Sequence, residues 1–482
     1  MRLPQRRSHL TAERRTPKVA VGLLGFLLGV CLVPEILSAQ HPGPNVILMM
    51  ADDLAYDDLS CFGSERIRSP HLDQMAKEGM RLTGFYAGAS VCSPSRMALL
   101  SGAYPARLGW QRGVLGYGMK PNTGLSPEVV TLAEIFQGAG YRTAIVGKWH
   151  VGDKNLRPHR QGFQSTYYLL ASNNIGRDIY RNDQIVHKAF DNRRLTETFT
   201  EEVIRIIETD SDRPFFMYVP FSAPHFPAEA HPDWKTNTSE DKLTAYVNVV
   251  EELDDRIGQI FAAVKRKGID EETLVVFISD NGAQAGQRIQ DGAGPFSGMK
   301  WSSREGGTRV PAILRWPGVI EGGQVRDQMV AAIDLYPTLA AACGIPIRLP
   351  DTAQKIDGIN LWENLLSPTS GRGREDLLYW HGFGEATAIR QGDYKLFFGS
   401  GQEHSADPDI TEGPALFNLV DDPGETHDLR ESHPEKVEEL LELARQKLEE
   451  IEENRLPLGR WPGPPADDED SDRQPAWGKW LH

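Results

Sequence analysis

Asn45-Val-Ile-Leu-Met-Met50, followed at once by Ala51-Asp52-Asp53, is the stretch on which the fold turns. A near-continuous apolar run closed by an acidic pair suits a strand covered on both faces, not one with a wet side. Thr143-Ala-Ile-Val-Gly147, Phe215-Phe-Met-Tyr-Val219 and Leu274-Val-Val-Phe-Ile-Ser279 read the same way. Between these runs, residues 126–139, 196–209 and 241–267 have helical spacing, each introduced by Ser, Thr or Asp near its start. Buried strands alternating with helices predict an α/β fold, a large mixed and mainly parallel sheet flanked by helices.

Past Pro346 the pattern changes. Tyr379-Trp380, Ala386-Thr-Ala-Ile-Arg390, Tyr394-Lys-Leu-Phe-Phe398 and Ala415-Leu-Phe-Asn-Leu419 are short runs separated by Gly and Asp turns, which predicts a smaller antiparallel sheet. Residues 434–453 form a charged amphipathic helix with Val437, Leu440, Leu441, Ala444 and Leu448 on one stripe. The expected organisation is an N-terminal domain over residues 40–346, a C-terminal subdomain over 347–460 and a loose acidic, Pro-rich tail over 461–482.

Residues 1–39 read as an export signal. Arg6, Arg7, Arg14, Arg15 and Lys18 precede the apolar run from Val19 to Val33, and Ser38-Ala39-Gln40 offers a small residue at a cut. The run is short for a membrane span, so no stable insertion is expected; a retained anchor is the alternative. Leu37 is larger than the usual residue three before a cut, and Val30 before Cys31 fits a lipoprotein site poorly. A secreted or periplasmic location follows, or a lysosomal one if the source is eukaryotic, where Asn237-Thr238-Ser239 would be a glycosylation sequon. The 482 residues carry 40% hydrophobic and 25% charged side chains, ordinary for a soluble globular protein. A net charge of −15 argues against nucleic acid as a partner. Removal of the signal, which contains Cys31, leaves Cys61, Cys92 and Cys343; if Cys92 is modified, the spacing of the other two does not decide whether they pair. No dense disulfide framework exists, so the fold rests on its core.

Ligands of open α/β sheets collect at the carboxyl ends of the strands. Just past the four apolar runs stand Asp52-Asp53, Lys148-Trp149-His150, Ser222-Ala223-Pro224-His225 and Asp280-Asn281-Gly282. Singly, an Asp after a strand is a turn former or helix cap, and a loop His is a solvated or structural group. Together, Asp52, Asp53, Asp280 and Asn281 offer only oxygen donors and no Cys or His pair at zinc spacing, a set that favours a hard cation such as Ca²⁺. Arg96, Lys148, His150, His225 and Lys300 form a basic half, able to hold a tetrahedral oxyanion and protonate a leaving oxygen.

The pentad Cys92-Ser93-Pro94-Ser95-Arg96, read alone, fits an ordinary buried Cys in a turn. Pro94 blocks regular structure, and Ser95 is placed to cap a helix starting near Arg96 whose N-terminus faces an anion. With Ala51-Asp52-Asp53-Leu54, Pro70-His71-Leu72-Asp73, Gly140-Tyr141-Arg142-Thr143, Gly147-Lys148-Trp149-His150, Ser279-Asp280-Asn281-Gly282 and Glu305-Gly306-Gly307-Thr308-Arg309-Val310-Pro311, the pentad resembles the type I sulfatases of the alkaline-phosphatase-like superfamily, over nearly the whole chain from Asn45 onward.

That resemblance implies that Cys92 is oxidised to formylglycine by a formylglycine-generating enzyme, and that its hydrated diol attacks the sulfur of a sulfated carbohydrate or aryl sulfate to give a covalent sulfate intermediate. It implies a metal site of Asp52, Asp53, Cys92, Asp280 and Asn281, with Asp280 also accepting or orienting the attacking proton. Lys300 and His225 would contact the sulfate, His225 being the acid for the leaving oxygen. His150 would deprotonate the second hydroxyl to expel sulfate, and Arg96 and Lys148 would fix the formylglycine. Ser172, after Gly162-Phe163, would add a hydroxyl on the sulfate side. One departure is Trp301-Ser302-Ser303-Arg304, where the family more often has a Gly-rich segment after the lysine; Trp301 and Arg304 either shape the substrate pocket or pack there. The other readings are a phosphoester or phosphonate hydrolase on the same scaffold, which Cys92 argues against, and a non-catalytic sulfated-glycan-binding protein, which has no need of His150.

Overall fold

A computed structural model describes residues 43–234, 242–285, 295–367, 373–382, 384, 386–398 and 414–461. The export segment, the sequon at Asn237 and the tail beyond residue 461 lie outside the described residues. The main sheet contains β1 (Asn45–Ala51), β2 (Met80–Leu82), β3 (Arg142–Lys148), β4 (Ser165–Leu169), β5 (Ile179–Arg181), β6 (Gln184–His187), β7 (Phe215–Pro220), β8 (Thr273–Ser279), β9 (Ala312–Arg315) and β10 (Gln324–Arg326). Across the sheet they run β10-β2-β9-β8-β1-β7-β3-β4-β5-β6.

The four strands read from the sequence, with β4, form its parallel centre. β1 lies parallel between β7 and β8, with Met50 beside Pro220 and Ala51 beside Ser279, and β3 lies parallel between β7 and β4. This shared register brings the four carboxyl ends to one edge. The antiparallel flanks β9, β5 and β6 make the sheet mixed; their runs are too short to stand out as strands in the sequence. β3 can approach β7 because residue 147 is Gly: its φ is +136°, and a Cβ there would sit 2.0 Å from Pro220 O.

Both faces of β1 are covered. Val46, Leu48 and Met50 pack with α2 (Cys92–Ser101) and α3 (Leu132–Gly138). Ile47, Met49 and Ala51 pack with α1 (Pro70–Glu78), α4 (Leu195–Glu208) and α5 (Lys242–Lys267). At about 1.5–3 kcal/mol per fully buried large aliphatic side chain, this explains why β1 reads as a run and not as an alternation. Of the expected helices, α4 and α5 keep their extents within a residue, whereas α3 starts only at Leu132, where Thr131 and Glu134 close a capping box.

Two expectations around the pentad are corrected. The helix starts at Cys92, not near Arg96, with extended Val91 as its N-cap. Pro94 therefore falls in the first turn, where a missing N–H costs little, and Ser95 Oγ accepts a bond from Gly88 N at 3.1 Å instead of capping. Cys61 and Cys343 are both free thiols, the first against Asp73 and the second against Tyr141.

The four C-terminal runs form an antiparallel sheet of β11 (Asp376–Trp380), β12 (Ala386–Gln391), β13 (Tyr394–Phe397) and β14 (Ala415–Asn418). Helix α6 (Pro434–Glu453) lays Val437, Leu440, Ala444 and Ile451 on it, while Leu441, expected on that stripe, is exposed. A buried charge network ties this sheet to the main one. Lys395 Nζ, with no exposed surface, donates to Ser303 O at 2.8 Å and pairs with Glu305 at 3.0 Å and Glu425 at 2.8 Å. Against the effect of burial, Lys395, then Arg309 and Arg390, hold the Glu305 carboxyl at about 2. Replacing Lys395 with Met strands two buried carboxylates, so Lys395→Met is expected to cost about 3–5 kcal/mol, read as a lowered midpoint in denaturant unfolding with an unchanged slope.

Candidate active site

The edge where the parallel strands end gathers every residue singled out in the sequence. Asp52 and Asp53 leave β1, Asp280 and Asn281 leave β8, His225 follows β7 by a short turn, Lys148 ends β3 and His150 lies just beyond it. α2 presents Cys92 in its first turn and Arg96 one turn on; Lys300 comes from the loop before Glu305. All are buried. Ser172 lines the same cavity as Cys92, His150, His225 and Lys300.

The geometry is that of a neutralised charge cluster. Arg96 donates Nε and Nη2 to Asp280 Oδ2 at 2.9 and 2.7 Å and pairs with Asp52 Oδ1 at 3.3 Å. Lys148 Nζ lies 2.6 Å from Asp52 Oδ2, and Lys300 Nζ 2.8 Å from Asp53 Oδ2. Three carboxylates thus face three permanent cations. Burial tends to raise Asp52, but Lys148, His225, Arg96 and Lys300 together hold it well below the usual range. Asp280 goes the other way: burial, then Asp52 beside it, pushes it up to about 7. Burial also opposes the charge on Lys300, but Asp53 keeps it protonated.

Cys92 Sγ points into this cluster, 3.5 Å from Asp52 Oδ1 and 3.9 Å from Asp53 Oδ1. Burial pushes its thiol well up despite Lys148 and Lys300. A sulfur so held is a poor thiolate. Asp52, Asp53, Cys92 and His225 each bring a donor atom, all within 4.8 Å of one another. Asn281 Nδ2 donates to Asp53 Oδ1 at 2.7 Å, which leaves Asn281 Oδ1 buried without a donor. An orphaned amide oxygen beside crowded carboxylates, one with a raised pKa, fits a divalent cation.

The two histidines are set in different tautomers. His150 Nε2 faces Leu115 O at 3.0 Å, so the proton lies on Nε2 and the buried Nδ1, which has no partner, is the basic atom. Burial, then Lys148 and Arg96, hold this ring well below its ordinary pKa. His225 Nδ1 faces Phe226 O at 2.7 Å and Asn173 Oδ1 at 3.1 Å, both acceptors, so Nδ1 carries the proton and Nε2 looks at Asp53 Oδ2 from 3.7 Å. Burial brings His225 down to about 4.

Sequence reasoning missed Asn173, Leu115 and the part played by Ser93. Ser93 Oγ donates to His150 O at 2.7 Å and accepts from Leu115 N at 2.9 Å, so it locks together the two segments that fix the His150 ring. Carbonyl partners leave no trace in a sequence. Of the two residues singled out in the segment that departs from the family pattern, Trp301 lines the cavity while Arg304 packs away from it, on Glu425 O at 2.8 Å. Asp53, His150 and Trp301 all hold positive φ (67°, 58° and 76°), the kind of strain that a rigid site sustains.

A buried nucleophile position at a helix N-terminus, an oxygen-rich cation site and two oriented imidazoles on a mainly parallel sheet define a hydrolase of anionic esters. The sulfatase family profile matches residues 44–345, and the profile of the N-sulphoglucosamine sulphohydrolase C-terminal region matches residues 300–454. The chain is 30% identical to N-acetylgalactosamine-6-sulfatase of Mus musculus over 89% of its length and 90% of the relative's. It is 32% identical to arylsulfatase A of Homo sapiens, covering 85% and 88%. The crystal structure of a sulfatase from Pseudoalteromonas sp. superposes with a TM-score of 0.76 at 26% identity, over 86% of this chain and 92% of that one. The chain belongs to the sulfatase family and is a sulfuric ester hydrolase. Among the described residues, no helix is long and apolar enough to cross a membrane.

If the carboxylate–amide cluster holds a cation, then adding a divalent ion to the ion-stripped protein raises its unfolding midpoint. The gain approaches about 2.7 kcal/mol at one hundred times the dissociation constant. Asn281→Ala is expected to shift that titration to higher ion concentration, read by differential scanning fluorimetry.

Proposed function

We propose that the protein is exported through its N-terminal segment and hydrolyses the sulfate ester of a sulfated carbohydrate, with Cys92 working as formylglycine. The observation that carries this reading is the setting of Cys92: a thiol whose ionisation is suppressed, aimed at two carboxylates and a histidine. The thiolate itself would be a poor nucleophile there, whereas an aldehyde at that position hydrates to a diol whose oxygens suit a hard cation. Cys92 is 1% exposed, so the formylglycine-generating enzyme would act on it before the fold closes.

A divalent ion, Ca²⁺ on these oxygen donors, would be held by Asp52, Asp53, Asp280, Asn281 and position 92, and would supply charge neutralisation to the reacting oxygens. Lys300 and Ser172 line the cavity that would receive the sulfate, and Lys148 would act from behind it, through the Asp52 carboxylate it pairs with. Asp280, at about 7, is suited to take the proton from the attacking hydroxyl as the S–O bond to position 92 forms. The ester S–O bond then breaks, and the leaving oxygen takes a proton from His225 Nε2. Because Nδ1 is already protonated, His225 must first gain that second proton, which the anionic ester beside it would favour. His150 Nδ1 removes the proton of the other hydroxyl, sulfate departs and the aldehyde returns. Arg96 holds Asp280 and Asp52 in place throughout.

Protein made with the maturation enzyme is expected to carry an aldehyde at residue 92 by peptide mass analysis and to release inorganic sulfate from sulfated sugars. It should act far faster on an aryl sulfate than on the matching phosphate. Cys92→Ala should lose turnover while keeping its unfolding midpoint. Equal activity from thiol-only protein overturns the assignment. His225→Ala is expected to slow alkyl sulfates by about 10²–10⁴ but to leave nitrophenyl sulfate, whose phenolate departs unprotonated, far less affected.

A further inference from the structure

The walls outside the sulfate position differ in character from its floor. Val114, Tyr117, Ile175, Phe226 and Trp301 line the mouth of the cavity. Ile175 and Phe226 are 48% and 38% exposed, among the few large apolar side chains of the described residues that face water. Asn174 and Gln284, which line the same cavity, are uncharged. Among the described residues lining this cavity, Lys300 is the one permanent cation, and its ammonium is bound to Asp53 at 2.8 Å on the floor.

Trp301 is held in place with unusual effort. Its backbone has a φ of +76°, which bulky residues avoid, and its N–H donates to Ser90 O at 2.9 Å. Its ring meets Tyr117 edge-on, with centroids 5.9 Å apart at 88°. Behind it lies Gly382, where a Cβ would come within 2.3 Å of the indole, so the indole seats directly on backbone of the C-terminal sheet's first turn. A rigid aromatic wall beside apolar neighbours at an open mouth is a platform for the flat or apolar face of a ring.

We propose that this mouth selects a monosulfated ring that is otherwise uncharged, its apolar face lying along Trp301, and that it discriminates against a ring carrying a second anionic group. The inference rests on the sulfatase reading and adds the substrate class. A second sulfate or a carboxylate would be desolvated against Ile175, Phe226 and Trp301, where the described lining residues offer no cation beyond the Lys300 already paired with Asp53, on a chain whose net charge is −15.

The test uses the full-length, aldehyde-bearing enzyme and follows inorganic sulfate release from two matched sets: 4-nitrophenyl sulfate against its ring-carboxylated analogue, and galactose monosulfates against galactose disulfates. The uncharged ring is expected to be preferred by about tenfold or more in kcat/KM within each set. Trp301→Gly accepts the same φ without strain, so the fold is kept. It should raise KM for the preferred substrates by about tenfold, the size of one aromatic contact, and shift kcat much less. Trp301→Phe should recover most of the loss. Equal or better turnover of the doubly anionic members, or a KM indifferent to Trp301→Gly, overturns this proposal alone. No sulfate from any substrate overturns the sulfatase reading and this proposal with it.

Discussion

Arg96 is the constraint on which the site depends. Its guanidinium, without exposed surface, spans Asp280 and Asp52, the first residues past two neighbouring parallel strands. It also donates to Lys148 O at 3.1 Å, at the end of a third strand. A buried cation of this kind tolerates no missing partner, so α2 can dock in only one rotation and height. Cys92 lies one helical turn before Arg96, on the same face, and the docking that satisfies the arginine also aims residue 92 at Asp52 and Asp53. The cluster then balances itself: Lys148 answers Asp52, Lys300 answers Asp53, and Asp280, left to share one guanidinium with Asp52, is the carboxyl that ends near neutrality.

Much of this was legible in the sequence because parallel strands convert position along the chain into position in space. Once four apolar runs were read as neighbours, the residues just past them had to meet. Arg96 and Cys92 were legible from the spacing of the pentad, although the helix begins four residues earlier than Pro94 suggested: in a first turn proline removes no bond that the helix needs. The antiparallel flanks were not legible, since strands of three or four residues carry too little pattern. Nor were the tautomers of His150 and His225. Those depend on Leu115 O and Phe226 O, backbone atoms that every residue type supplies, and on Asn173, an amide with no motif around it.

The tautomers give the two imidazoles unlike capacities from one residue type. Each has one nitrogen committed to a carbonyl. His150 is left with a bare Nδ1 that burial, then Lys148 and Arg96, keep unprotonated and so free to accept a proton. His225 is left with a bare Nε2 facing Asp53, an anion that, with Asp52, works against the burial that lowers it. Burial lowers both rings, but the cations beside His150 add to that effect while the carboxylates beside His225 oppose it. Placement, and not residue identity, sets the two rings apart.

The C-terminal sheet enters the same logic from behind. Lys395 and Glu425 do not reach the cavity, yet they grip Ser303 O and the Glu305 backbone N–H, the segment that follows Lys300 and Trp301. Ser90, two residues before Cys92, receives Trp301 N–H on its carbonyl and gives its own N–H to Trp380 O at the end of β11. Gly382 backs the indole, and its carbonyl accepts from Gly113 N, at the base of the turn that carries Leu115 and Tyr117. The second sheet thus braces three walls of the pocket at once: the lysine loop, the approach to the helix and the turn that orients His150. A site whose floor is set by the parallel strands and whose walls are set by a separate sheet can change its outer selectivity without disturbing the charge balance that the chemistry needs.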